Sequence, residues 1–189
     1  MPDLPISQLP EITAVTQNAE YAVSQGGTTY RIKAGNASSG NLHGAFHSEL
    51  TQSATSANTA YVMSAATTDY AVGVSVSNGG DITVSSGGTY NLQFSSVFKK
   101  VQGGSIEYVS VWVTVNDNNV DWTNTDVTMA NNNELIVAAW NFLLELNAGD
   151  VVNMMWSSTS SQMQMVAIPP QINPIRPGTP SVIITLTQI

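Results

Sequence analysis

The sequence predicts an all-β fold, a sandwich or barrel of many short strands, and two observations carry the prediction. Charged residues make up only 10% of the chain, against about 25% in ordinary soluble domains. Ser, Thr, Asn, Gln and Gly fill the gap, a mixture that suits short strands and tight turns and supports helices poorly. From His43 onward, strand candidates also recur at short intervals between Gly- and Asn-rich turn signals, the spacing of a sandwich or barrel and not of a βαβ fold. With 189 residues, 42% of them hydrophobic, the chain suits one domain of about 140–150 residues plus an appendage.

Residues 1–42 read as the appendage: an anchoring arm, a β-hairpin and a linker. Pro2, Pro5 and Pro10 keep the first ten residues extended and out of any central strand. Glu20–Gln25 and Thr28–Lys33 flank Gly26-Gly27, a two-residue turn with the positive φ that hairpins need. In that register Val23 faces Tyr30 and Tyr21 faces Ile32, which makes these four the expected anchoring side, and Glu20 faces Lys33 as an opposite-charge pair. A lone hairpin is marginal in water, so its apolar side needs a surface to dock on. Ala34 to Leu42 (AGNASSGNL) has a flexible linker's composition.

Residues 43–189 read as the β domain. Strands are expected at Ala45–Thr51, Ala60–Ser64 and Ala71–Val76, then Asp81–Ser85 after the Asn78-Gly79-Gly80 turn. Thr89–Phe98 alternates, with Tyr90, Leu92 and Phe94 on one side. Ser105–Val115 places Val109, Val111, Val113 and Val115 one way and Ile106, Tyr108, Trp112 and Thr114 the other. Further strands are expected at Thr125–Met129, Asp150–Trp156, Gln162–Ile168 and Ser181–Ile189.

Glu134 to Leu146 is apolar almost all round, so periodicity alone leaves helix and strand open. The β surroundings favour a strand, in which Ile136, Ala138, Trp140, Phe142, Leu144 and Leu146 form one apolar side. Leu135, Val137, Ala139 and Leu143 then line a second, mostly apolar one. In a two-layer sandwich one face meets the core and the other water, so the second face predicts cover from another chain.

Gly88-Thr89-Tyr90-Asn91-Leu92-Gln93-Phe94-Ser95 resembles the glycine-then-aromatic strand of the trimeric jelly rolls related to complement collectins and tumour necrosis factor. Leu146-Asn147-Ala148-Gly149-Asp150-Val151-Val152 is similar to a turn that opens a later strand there. The resemblance implies a jelly-roll β-sandwich packed as a homotrimer about a threefold axis. Tyr108 and Trp112, together with Leu135, Val137, Ala139 and Leu143, are the residues that fit its interface. Ile6-Ser7-Gln8-Leu9-Pro10 and Gln25-Gly26-Gly27-Thr28-Thr29-Tyr30-Arg31-Ile32 resemble the opening of many bacteriophage fibre and head-appendage proteins. That likeness implies a virion structural protein, docked on a major capsid or tail protein through residues 1–42: a capsid decoration (cement) protein or a short head fibre. A receptor-binding tail-fibre or spike tip, and a free carbohydrate-binding jelly roll, are the alternatives.

Charge and motifs narrow the chemistry. Five basic residues against thirteen acidic ones give a net charge of −8, which leaves no basic surface for nucleic acid or an anionic membrane. There is no cysteine, hence no disulfide or thiolate site. The N-terminus has no basic start or apolar stretch of a signal peptide, so synthesis in a host cytoplasm is expected. No nucleophile elbow or phosphate loop is present, and neither an enzymatic activity nor a cofactor is expected. His43 and His47 would point the same way on a strand, and three copies near an axis could hold a metal, yet solvated or turn-capping histidines are the plainer reading. The Asp117-Asn118-Asn119-Val120-Asp121 run offers calcium-type oxygens but equally suits a tight turn. Lys99-Lys100 reads as a solvated strand end. Of the four tryptophans, Trp122 in its loop is the candidate for an exposed contact to a glycan or partner.

Overall fold

The computed structural model describes residues 20–33 and 42–189, and among these there is no helix. The chain divides into two units, residues 1–40 and 41–189. In the first, β1 (Glu20–Gln25) and β2 (Thr28–Lys33) form an antiparallel hairpin. Gly26 and Gly27 sit at φ 60° and 78°, the left-handed pair of a type I′ turn whose twist matches the flanking strands. The register pairs Glu20 with Lys33, Tyr21 with Ile32 and Val23 with Tyr30, as the two-residue turn dictates. The expectations for residues 1–19 and for most of the linker, 34–41, fall outside the described residues.

The second unit is a two-layer sandwich. Its strands are β3 (His43–Ser48), β4 (Gln52–Ser53), β5 (Tyr61–Val62), β6 (Thr67–Val72), β7 (Val74–Ser77), β8 (Asp81–Val84) and β9 (Gly88–Lys100). Then come β10 (Glu107–Val115), β11 (Asn118–Asn119), β12 (Thr125–Met129), β13 (Leu135–Leu146) and β14 (Val151–Ser158). The last are β15 (Met163–Met165), β16 (Gln171–Ile172), β17 (Ile175–Arg176) and β18 (Val182–Gln188). The first sheet runs β4-β15-β9-β18-β3-β6, with β13 on the free side of β9; the second runs β11-β10-β14-β8-β7, with β12 on β10 and β5 on β14. Neighbouring strands are antiparallel throughout.

Inward-facing positions of the two sheets meet in one core. Phe46, Tyr90, Leu92, Phe98, Ile184 and Leu186 of the first sheet pack with Ile82, Val109, Val111, Val113, Met154 and Trp156 of the second. The alternation read along β9 and β10 is the cause: a period-two strand puts every second side chain on the core face. The Glu134–Leu146 run is the strand β13, paired along its whole length with β9.

Three local features depart from the sequence reading. Ala71–Val76 is not one strand. Gly73, at φ 66°, breaks it so that β6 lies in the first sheet and β7 in the second. Lys100 is not solvated. It is buried beside the core, its Nζ donating to the Ser105 carbonyl. The segment after β15, expected to stay extended to Ile168, instead enters a proline-bracketed projection, 168–179, carrying the small hairpin β16–β17.

The β13–β14 turn is held by Asp150. Its Oδ2 accepts the Asn147 backbone N–H at 2.7 Å and its Oδ1 the Asn116 side-chain amide at 2.9 Å. These bonds, the Asn147 backbone N–H first, hold its carboxyl below the ordinary aspartate range. A depressed folded-state pKa contributes stability above the unfolded value that is lost as pH falls through the folded one. Asp150→Asn is therefore expected to melt at lower temperature than the natural chain at pH 6. The difference should begin to shrink below about pH 4 and vanish as pH falls through the lower folded-state value, as read by thermal unfolding at a series of pH values.

Candidate functional site

The outward side of the first sheet carries uncharged rows and an exposed apolar edge. Because β13, β9, β18 and β3 are in register, their outward side chains line up in rows across the sheet. One row is Leu143, Asn91, Thr187 and His43; the next is Asn141, Gln93, Thr185 and Ala45; a third is Ala139, Ser95, Ile183 and His47. None of the three rows contains Asp, Glu, Lys or Arg. At the β13 edge the surface turns apolar: Leu135 is 50% exposed, Val137 61% and Leu143 64%. The opposite side of the same strand is covered, with Ala138, Leu144 and Leu146 buried. One chain thus shields one side of β13 and leaves the other open.

The second sheet presents a different surface. Tyr108 and Trp112 project outward from β10, because Val109, Val111 and Val113 take the core side. Around them are hydrated polar pairs. Ser110 donates to Asp126 at 2.7 Å, Thr159 to Glu107 at 2.6 Å, and the Trp112 indole N–H to Asn119 Oδ1 at 2.8 Å. The structure does not bring all six expected interface residues together. Leu135, Val137, Ala139 and Leu143 share one face, whereas Tyr108 and Trp112 belong to the other sheet. Strand alternation shows which side chains oppose the core, but sheet membership depends on long-range pairing that a single strand's pattern does not contain.

His43 and His47 both point outward from β3, in the first and third of the outward rows. His43 meets Tyr70 edge-on, ring centroids 5.7 Å apart. A bulge in β6 opposite Ala45 and Phe46 brings Asp69 to His47, whose Nδ1 lies 2.9 Å from Asp69 Oδ1. Among the described residues no group of three or more His, Asp or Glu is placed to hold a metal ion. Asn116 and Asp117, at φ 50° and 63°, form the tight turn from β10 into β11. The Asn118 side chain caps the Asn116 carbonyl at 2.8 Å, and the Asn119 side chain accepts from the Trp112 indole.

Trp122 is fully exposed and sits at φ 64°, a left-handed backbone that bulky residues avoid. The loop around it is pinned, since Thr123 is buried and its hydroxyl donates to the Val120 carbonyl at 2.7 Å while accepting the Val113 N–H. The fold holds this indole out in solvent on a fixed base. Trp122→Gly is expected to leave the unfolding free energy within about 1 kcal/mol of the natural chain, because backbone relief offsets the entropy of glycine and no buried contact is lost; denaturant unfolding measures it.

The folded unit is a jelly roll of the tumour-necrosis-factor type. Murine APRIL superposes with a TM-score of 0.51 at 9% identity, over 79% of this chain and 99% of that one. Eiger TNF from S. frugiperda gives 0.51 at 11%, over 79% and 92%. At such identities the likeness is one of fold. No family model matches the sequence, and no curated protein sequence does.

Proposed function

We propose that this chain is a non-enzymatic structural protein of a bacteriophage particle. In this reading three jelly rolls pack by the uncharged rows of the first sheet, and residues 1–42 dock the trimer on a major capsid or tail protein. The observation that carries the reading is the open side of β13. Specific interfaces remove charge from their centres and bury about 800 Å² per partner, and three uncharged rows bordered by Val137 and Leu143 suit that use. The threefold packing comes from the jelly-roll resemblance and the viral setting from the N-terminal motifs. Within this reading the role is decoration of the shell or a short head fibre, with a tail-fibre tip as the alternative.

Deleting residues 1–42 tests the division of labour. The truncated chain is expected to trimerise like the full one but to be absent from purified particles, as read by light scattering and by immunoblot of banded phage. Incorporation of the truncated chain at the natural level would overturn the docking role.

A second reading, a carbohydrate-binding module, is supported by Trp122. A ring held in water on a strained backbone is placed to stack on a sugar. That reading expects saccharide binding by the isolated jelly roll and its loss in Trp122→Gly, by glycan array and calorimetry.

A further inference from the structure

The proline-bracketed projection between β15 and β18 has a rigid build. Its base is closed by two backbone hydrogen bonds between Ile168 and Thr179, each 2.8 Å. Pro169 and Pro170 enter it and Pro177 leaves it, fixing φ at each position. At its tip β16 and β17 pair Gln171 with Arg176 and Ile172 with Ile175. Both isoleucines are 90% exposed, and Arg176 beside them is exposed and has no acidic partner among the described residues. A pre-ordered element that holds two branched apolar side chains and a guanidinium in water is built to enter something.

The receiving shape occurs on the same molecule. Where the base of the projection meets the outward side of the first sheet, a cleft of about 650 Å³ opens between Ile168, Pro170 and Pro177 on one side and His47, Asp69 and Ile183 on the other. Glu49 also lines it, and the lining contains no Lys or Arg. Glu49 has no ion-pair partner among the described residues. The cleft is apolar with an acidic rim; the tip is apolar with a basic residue. Tip residues 171–176 do not line the cleft of their own chain, and Ile183 and His47 belong to both the cleft and the outward rows of the sheet. A copy packed on that face therefore borders the cleft.

We propose that the tip of one copy, with Ile172, Ile175 and Arg176, seats in the cleft of the next, Arg176 meeting Glu49. This rests on the self-association reading and deepens it. Tip and cleft are different surfaces, so the contact is head-to-tail, and such contacts close into a ring when the rotation allows.

The chain is free of cysteine, which makes the test clean. In full-length protein, Glu49→Cys combined with Ile175→Cys, treated with a short bis-maleimide, is expected to give covalent dimer and trimer on a denaturing gel. Each single variant should stay monomeric there. Arg176→Glu should raise the concentration at which the trimer dissociates at least tenfold, and adding Glu49→Arg should restore it. Cross-linking only within a chain, or a trimer by light scattering that yields no covalent oligomer and ignores both charge changes, would overturn the exchange alone and leave the tip to an outside partner. A chain monomeric by light scattering at every concentration would overturn the exchange together with the self-association it rests on.

Discussion

Val137→Glu combined with Leu143→Glu is expected to turn the proposed trimer into monomers at micromolar concentration while leaving the sandwich folded. Both side chains are more than half exposed in one chain, so within the monomer each glutamate stays hydrated and stability should change by no more than about 1 kcal/mol, the spread of strand preferences. In a packed interface the same carboxylates would lose water; at 143 the adjoining rows, Asn141 with Gln93 and Glu145 with Thr89, hold no Lys or Arg, while at 137 Lys99 opposite Leu135 lies in the next row. An unpaired charge there costs several kcal/mol, and about 1.4 kcal/mol already changes an association constant tenfold. Sedimentation velocity reads the mass and thermal unfolding the fold. A double variant that remains trimeric would show that the open side of β13 is not the contact. A natural chain that is monomeric at high concentration would show that no such contact exists.

The basis of this prediction was visible in the residues of β13. Ile136, Ala138, Trp140, Phe142 and Leu144 could not all be buried by a strand without turning Leu135, Val137, Ala139 and Leu143 the other way, and the structure keeps that division. The hairpin register was equally legible, because a Gly26-Gly27 turn leaves one choice of partners. Other features were hidden because they depend on contacts far apart in sequence. Tyr108 and Trp112 show the right alternation, yet only the pairing of β10 with β12 and β14 puts them on the second sheet. Gly73 looks like any strand glycine until its left-handed φ sends β7 to the other layer. Lys100 reads as a solvated end until Ser105 closes over it. The prolines at 169, 170 and 177 disfavour a central strand and lie where the chain leaves the sheet and returns to it. What they could not reveal is that the departure returns as a paired tip with its isoleucines outward.

The four tryptophans allow a second test with a large expected effect, this time on stability. Trp156→Ala is expected to destabilise the sandwich by about 3–5 kcal/mol, the range for removing a buried indole. For a domain of this size that lowers the melting temperature by roughly 6–20 °C. Trp156 is 1% exposed and lies between the sheets, its ring 5.5 Å from Tyr61 and 5.8 Å from Phe98, so neighbours from both layers border the space it leaves. Trp156→Phe should recover most of the loss. The indole N–H has no hydrogen-bond partner, so phenylalanine gives up volume but no bond, and the aromatic contacts with Tyr61 and Phe98 persist in part. Trp122→Ala provides the contrast, since a fully exposed ring leaves no cavity when it is removed. Equal melting temperatures for the two alanine variants would mean that the core is not centred on Trp156. A large gap between them would instead separate the residue that holds the sheets together from the one the fold sets out in solvent.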